Sequence, residues 1–336
     1  MTLRIIASSI AGMLLLLAGC GGAPAGPGGP GGPGGPGGNP FTGRLIGYGT
    51  GHIHTMDLSA NGAWLKKNSI STGYEVPAYD PLRNELYVAG MDALDPMFIE
   101  VIDANTFATK RSFAWPDTES LLRTERFAPA PGGRYLAASL SGFAEPFLEV
   151  MDAETGSILH TAPELTVASN LVWTSDPYLM FAFEPAGALE PDMHGAVIAI
   201  PLAEFLEDDG ELGAYIVQRF TRAEWGIRGV TYLALSTDQS QLAYVLNGDI
   251  WIKDLTEDQA PLQLTTGPTS NYGPAFSPDG AYIAFVGPRT YGLNDTLVLP
   301  NDGTGPYLVD IEDPANSQAY LVDKRSLVDA IMTWLP

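Results

Sequence analysis

Residues Tyr272-Gly-Pro-Ala-Phe-Ser-Pro-Asp-Gly-Ala-Tyr-Ile-Ala-Phe-Val-Gly287 decide the fold. Ser277-Pro278-Asp279-Gly280 has the composition of a type I turn. Ser opens it, Pro pre-sets φ at the second position, and Gly closes it. An apolar run precedes the turn, and Tyr282-Ile-Ala-Phe-Val286 follows it as a buried strand. The unit is an antiparallel hairpin.

The hairpin is one copy of a repeat. Phe98-Ile-Glu-Val-Ile-Asp-Ala-Asn-Thr-Phe107 and Phe147-Leu-Glu-Val-Met-Asp-Ala-Glu-Thr-Gly156 share six of ten residues, 49 positions apart. Each reads as a strand running into a turn. Similar strand ends stand at Asp57, Pro201, Asp254 and Pro300, so the six are spaced by 46, 49, 49, 53 and 46 residues. Turn residues recur in the same phase at Asp80-Pro81, Ala130-Pro131, Ser175-Asp176 and Thr237-Asp238. Two independent markers in one phase predict an all-β fold over residues 41–336: a six-bladed β-propeller of four-stranded antiparallel blades around a channel. Phe276-Ser-Pro-Asp-Gly280 closely resembles the repeat of TolB-type propellers, in which an aromatic-Ser-Pro-Asp-Gly turn joins the first two strands of a blade.

The amino terminus has a different character. Residues 1–20 carry one early charge, Arg4, then a short apolar run that ends in Leu17-Ala-Gly-Cys20. The run has the length of a signal h-region and falls short of the ~20 residues of a membrane span. The box resembles that of bacterial lipoproteins. That resemblance implies cleavage before Cys20, diacylglycerol on its thiol and an acyl chain on the new amine, with Cys20 as the lipid attachment site. Several acyl chains together anchor a protein stably where one does not. Gly21 follows Cys20, which in a cell with two membranes implies the outer one. Cys20 is the only cysteine, so the sequence offers no disulfide, thiolate metal cluster or catalytic thiol. Residues 21–40 contain 11 Gly and 6 Pro. With almost nothing apolar to bury they read as a tether, on the order of 25 Å as a coil and roughly 60 Å fully extended.

Charge narrows the partners. Without Arg4 the chain holds 16 basic against 39 acidic residues, which disfavours nucleic acid and anionic lipid surfaces. No Gly-x-Ser-x-Gly, His-Glu-x-x-His or Walker sequence is present. Prolyl-peptidase-type enzymes carry a similar propeller, but the six blades use all the residues after Phe41. We therefore expect no catalytic residue, no cofactor and no metal. The TolB resemblance implies a propeller that docks protein partners; with the lipoprotein box at Cys20, the expectation is a monomeric cell-envelope lipoprotein acting as a protein-binding or scaffolding module. The alternative is a Ca²⁺-dependent hydrolase of the lactonase or phosphotriesterase kind, which needs acidic and Asn ligands from several blades in the channel. Asp80, Asn170 and Asp238 are its nearest candidates.

Other polar groups are read in order along the chain. His52 and His54 share a strand face but are too few to hold a metal. Arg123 and Glu125 alternate on the first strand of blade three, where they either face the channel or pair on a surface. Glu204, Glu207, Asp208, Asp209 and Glu211 form an acidic insertion on solvated surface. In blade five, Asn247-Gly248 predicts a tight two-residue hairpin. In blade six, residues 296–299 and then 307–311 are the expected later strands. Helical periodicity is confined to 202–206 and 324–333. Blade one lacks a first strand before residue 45, so residues 329–335 are expected to pair beside 45–48, burying Ile331 or Trp334 against a neighbouring blade. A frayed helix over 328–332 is the competing expectation.

Overall fold

Every second strand of the repeat sends alternate side chains to opposite sides, and both sides are buried. Ile283 and Phe285 pack toward blade five, while Ala284 and Val286 pack toward blade one. A strand sandwiched in this way must be apolar on both faces, which is why 282–286 is an unbroken apolar run. The computed structural model describes residues 43–49, 52–58, 65–69, 77–90, 98–115, 123–141, 147–163, 165, 167–184, 193–207, 212–226, 228–266, 271–288, 304–311, 320–321 and 330–336.

These residues build six four-stranded antiparallel sheets. Blade one contains β1 (Arg44–Gly49), β2 (His52–Asp57) and β3 (Leu65–Ser69); blade two contains β4 (Ala78–Asp80), β5 (Glu85–Gly90), β6 (Phe98–Asp103) and β7 (Thr109–Ala114). Blade three runs through β8 (Arg123–Pro129), β9 (Tyr135–Ser141), β10 (Phe147–Asp152) and β11 (Ser157–Pro163). Blade four has β12 (Val172–Trp173), β13 (Tyr178–Phe183) and β14 (Met193–Pro201), then helix α1 (Leu202–Glu207) and β15 (Ile216–Thr221). The four-residue helix α2 (Arg222–Trp225) leads into blade five, which is β16 (Val230–Leu235), β17 (Gln241–Leu246), β18 (Asp249–Asp254) and β19 (Leu262–Gln263). Blade six comprises β20 (Tyr272–Phe276), β21 (Tyr282–Pro288), β22 (Thr304–Asp310) and β23 (Tyr320–Leu321).

The last strand, β24 (Ala330–Leu335), completes blade one by pairing antiparallel with β1, with Leu45 opposite Trp334. The chain end is a strand and not a helix, as the incomplete first blade required. Trp334 is buried among Leu45, Met56 and Leu58 of its own blade and Ala275, Ala284 and Val286 of blade six. The side chain of Ile331 lies outside the described residues. Six apolar clusters fill the six junctions between consecutive blades, so the ring is closed by the same kind of packing throughout.

The repeat has a backbone signature. In every blade the residue after the third strand donates its N–H to a carbonyl beside the start of the second. The pairs are Leu58 to Gly43, Ala104 to Asn84, Ala153 to Arg134, Leu202 to Pro177, Leu255 to Ser240 and Ile311 to Ala281, at 2.7–3.0 Å. The last pair corrects the reading of blade six. Its third strand is Thr304–Asp310 and ends at Asp310, not at Pro300, while 296–299 lies outside the described residues. A longer connection between β21 and β22 displaces the strand, and a Leu-Pro pair alone does not mark the rung.

Turn chemistry follows the sequence closely. Asp103, Asp152 and Asp254 each end a third strand and accept backbone N–H bonds from the residues two and three positions on. Asn247 and Gly248 have φ of 54° and 95°, the positive values that a two-residue hairpin needs. Gly280 closes the key turn at φ 75°, and the Ser277 hydroxyl accepts the Tyr282 N–H while donating to Asp279. Among the described residues no helix is long and apolar enough to cross a membrane.

Candidate functional site: the channel and its two mouths

The first strand of each blade borders the axis. Residues of β24, β4, β8, β12, β16 and β20 line one cavity of about 1230 Å³, and the turns holding Pro81, Pro131, Thr237 and Pro278 form its rim. Among the described residues, three of the 34 that line it are charged: Arg44, Asp57 and Arg126. Acidic residues elsewhere give the chain a formal charge of −22. The described part of the mouth is therefore nearly neutral on an acidic protein, and it is walled by Tyr79, Phe127, Trp173, Phe276 and Trp334.

Hydrogen bonds between blades hold the rim. Arg44 reaches Ala104 O at 3.1 Å and Asn105 Oδ1 at 2.8 Å, joining blades one and two. Gly132 N–H donates to Asp80 Oδ1 at 3.3 Å between blades two and three, and Trp173 Nε1 donates to Ala128 O at 3.0 Å between three and four. Ser175 donates from its N and Oγ to Gln239 Oε1, and Thr237 Oγ1 donates to Pro278 O, carrying the links through blade five to blade six. At the ring junction Gly43 lies so close to Leu335 O that a Cβ would overlap it. Burial, then the neighbouring Asp80 charge, pushes the Tyr79 hydroxyl up to about 12, so it stays a neutral donor to Asn84 Oδ1. Such a rim is preorganised. One large apolar side chain stands out from it: Leu82, 72% exposed, beside Pro81.

Arg126 and Tyr232 line both the wide cavity and a small hollow at the far end of the channel. Arg126 Nη1 donates to Thr231 O at 3.0 Å, spanning from blade three to blade five, and its guanidinium lies 5.9 Å from the Tyr232 ring centroid. A β-bulge between Thr124 and Arg126 re-aims the strand at this point. The side chains of Arg123 and Glu125 lie outside the described residues; the described arginine of this strand that reaches the channel is Arg126. Repeat alignment carries the missing signal. Arg126 and Tyr232 each stand three residues before Pro129 and Leu235, which pair with the equivalent Leu136 and Leu242.

The candidate metal ligands do not converge. Asp80 is fully buried beneath its turn; its Oδ1 accepts from Leu82, Arg83 and Gly132 N–H, and burial raises its pKa. Asp238 is tied within its own turn to Ser236 and Ser240, which hold its carboxyl below the ordinary range. Of the three only Asn170 lines the cavity, and its amide is engaged with the Leu233 backbone, accepting from N at 2.5 Å and donating to O at 3.0 Å. Strand β2 carries His52 and His54 with ring centroids 6.2 Å apart. Among the described residues no group of three His, Cys, Asp or Glu is placed to hold a metal ion. Glu204 and Glu207 are exposed on α1, whereas Asp208, Asp209 and Glu211 lie outside the described residues.

No family model matches the sequence, and no curated protein matches it. Solved structures do match. A TolB from Acinetobacter baumannii superposes with a TM-score of 0.58 at 14% identity, covering 87% of this chain and 67% of that one. The fold is TolB-like. A chain of a nidogen/laminin complex gives a TM-score of 0.56 at 12% identity, covering 88% of this chain and 99% of its own. A protein described as a TolB from Agrobacterium tumefaciens gives 0.51 at 12% identity, covering 83% and 88%. At these identities the likeness concerns the fold.

Proposed function

We propose that this TolB-like propeller is a protein-docking module, and that its wide channel mouth receives the partner. The observation that carries the reading is the mouth itself: about 1230 Å³, walled by aromatic and prolyl residues, nearly free of charge in its described part, and rimmed by an inter-blade hydrogen-bond network. A rigid surface loses little entropy on binding, and aromatic walls suit anchor side chains. Leu82 offers an apolar anchor of its own at the edge. The likeness to TolB and to a chain solved in a two-protein complex supports the same reading. The hydrolase alternative finds no support in Asp80, Asn170 and Asp238, which do not meet on the axis.

We further propose that the module is exported and held at a membrane, the outer one where there are two, by lipid on Cys20, with residues 21–40 as tether and 41–336 as the propeller domain. Cys20 and the leader lie outside the described residues. A Cys20→Ser chain should lose labelling by a fatty-acid probe and leave the membrane fraction; persistent labelling would exclude this anchor.

Docking is tested by a photo-crosslinking amino acid placed at Gln239 on the mouth or at Leu262 on the outermost strand of blade five, in cells that express the chain. A discrete adduct from position 239, absent from position 262 and weakened by Leu82→Ala, supports the mouth. Adducts from position 262 alone, or from neither, would refute it.

A further inference from the structure

The wide mouth is nearly neutral where it is described, but the turns around one side of it are not. Turns between first and second strands, and those between third and fourth, open on the mouth side, because the residue after each third strand bonds beside the start of the second. In blades four, five and six the first kind of turn carries Asp176, Asp238 and Asp279, all exposed. In blade five the second kind adds Asp254, Glu257 and Asp258. Ser175 donates to Gln239 and Thr237 to Pro278, so the turns of Asp176, Asp238 and Asp279 form one hydrogen-bonded arc. Thr237, Gln239 and Pro278 also line the cavity, and the arc therefore edges the mouth.

Acidic surface is ordinarily just a solvated face, but the charge of this arc is uncompensated. On blades two and three the same kinds of turn balance: Lys110 pairs with Asp103 at 3.2 Å and Arg134 with Asp152 at 3.6 Å, and Arg83 is exposed nearby. On the arc, none of the six carboxylates has an ion-pair partner among the described residues. Lys253 is buried and donates Nζ to Gln259 O at 2.7 Å, and it is a minor influence on Asp254. The connections to the fourth strands of blades four and six include 208–211 and 312–319, which contain no Lys or Arg. Hydrogen bonds also keep the arc ionised. Ser236 and Ser240 on Asp238, Ser277 and the Ala281 N–H on Asp279, and Thr256 on Asp254 hold these carboxyls below the ordinary range.

We propose that the mouth receives a cationic protein segment, an apolar anchor flanked by lysine or arginine, with its cations laid along the arc of blades four to six. This rests on the reading of the mouth as a docking surface and names the chemistry of what docks. The anchor meets the aromatic walls, whose low dielectric focuses the field of the arc into the opening. The cations meet the uncompensated carboxylates at the rim, where charge steers encounter and fixes orientation. Arg83 and Arg134 on the opposite side repel the reverse orientation.

The test titrates two fluorescent peptides into the purified full chain and reads anisotropy. Both carry the same apolar anchor with a photo-reactive aromatic residue, flanked by lysines in one peptide and by glutamates in the other. The lysine peptide is expected to bind about tenfold more tightly or better, with an affinity that falls as sodium chloride rises. Its photo-adduct should map by mass spectrometry to residues that line the mouth. The triple variant Asp176→Asn, Glu257→Gln, Asp258→Asn should weaken binding about fivefold, whereas Glu154→Gln, on the balanced side, should leave it unchanged. Should the triple variant fold poorly, the comparison of the two peptides and the salt dependence stand on the unmodified chain. Equal affinity for the two peptides, no binding of either, an adduct away from the mouth, or wild-type binding by the triple variant would overturn the proposal. None of these outcomes refutes docking itself, which the adduct from position 239 in cells tests without reference to charge; absence of that adduct would remove both.

Discussion

Replacing Trp334 by alanine tests how the ring is closed. Its side chain is 6% exposed and packs between blade one and blade six, against Leu45, Met56, Leu58, Ala275, Ala284 and Val286. Truncating a buried Trp costs about 3–5 kcal/mol, the lost transfer energy plus the cavity left behind. Unfolding entropy near 60 °C is about 2.1 cal/mol/K per residue, so a domain of roughly 290 residues has about 0.6 kcal/mol/K. Division gives a fall in Tm of roughly 5–8 °C. Differential scanning calorimetry at one fixed scan rate measures it. Leu262→Ala, at a position 47% exposed on an outer strand, serves as the surface control and should move Tm by no more than about 1 °C. Trp334→Phe should recover much of the loss, since most of the apolar volume returns. A Trp334→Ala fall no larger than that of Leu262→Ala would refute closure through β24.

Asn170→Ala removes both bonds to the Leu233 backbone and orphans a buried N–H; chemical denaturation should show a loss of about 1–3 kcal/mol. Gly133→Ala should destabilise more than Gly280→Ala by the same measurement. Both glycines have positive φ, worth about 1–2 kcal/mol to an L residue, but only at Gly133 would a Cβ overlap the hydroxyl of the fully buried Tyr87. In acid, Asp103 should lead the loss of stability. The Thr106 N–H, then the Lys110 ammonium and the Asn105 N–H, lower its pKa from 3.8 to about 2. Its folded pKa is depressed, so its contribution is present above about pH 4 and is lost as pH falls toward 2. Asp152, Asp238, Asp254 and Asp279 shift the same way through turn hydrogen bonds, while burial shifts Asp80 and Asp249 oppositely, so those two favour folding less as pH rises through the carboxylate range. Unfolding midpoints between pH 7 and pH 2 should thus show a shallower acid loss for Asp103→Asn, which keeps the Oδ1 acceptor; an unchanged slope would contradict the assignment.

Local chemistry made most of the fold legible. A turn such as Ser277-Pro-Asp-Gly280, an Asp ending a third strand, or Asn247-Gly248 is stabilised by bonds within a few residues, so its signal is written in adjacent letters. Repetition of those letters in one phase counted the blades, and the missing first strand of blade one foretold β24. The third strand of blade six was misplaced because the connection from β21, which ends at Pro288, to β22, which starts at Thr304, is longer than in the other blades, and a Leu-Pro pair stood where the regular spacing put the rung. The channel was hidden for a stronger reason. Arg126 and Thr231 are 105 residues apart, Asn170 and Leu233 are 63 apart, and Trp334 meets Leu45 only when the two ends of the chain share a sheet. A first strand reads as apolar or polar from its letters, but which of its side chains cross the axis depends on a bulge and on the strand it faces. Ring closure supplies that facing strand, and ring closure is a property of all six blades together.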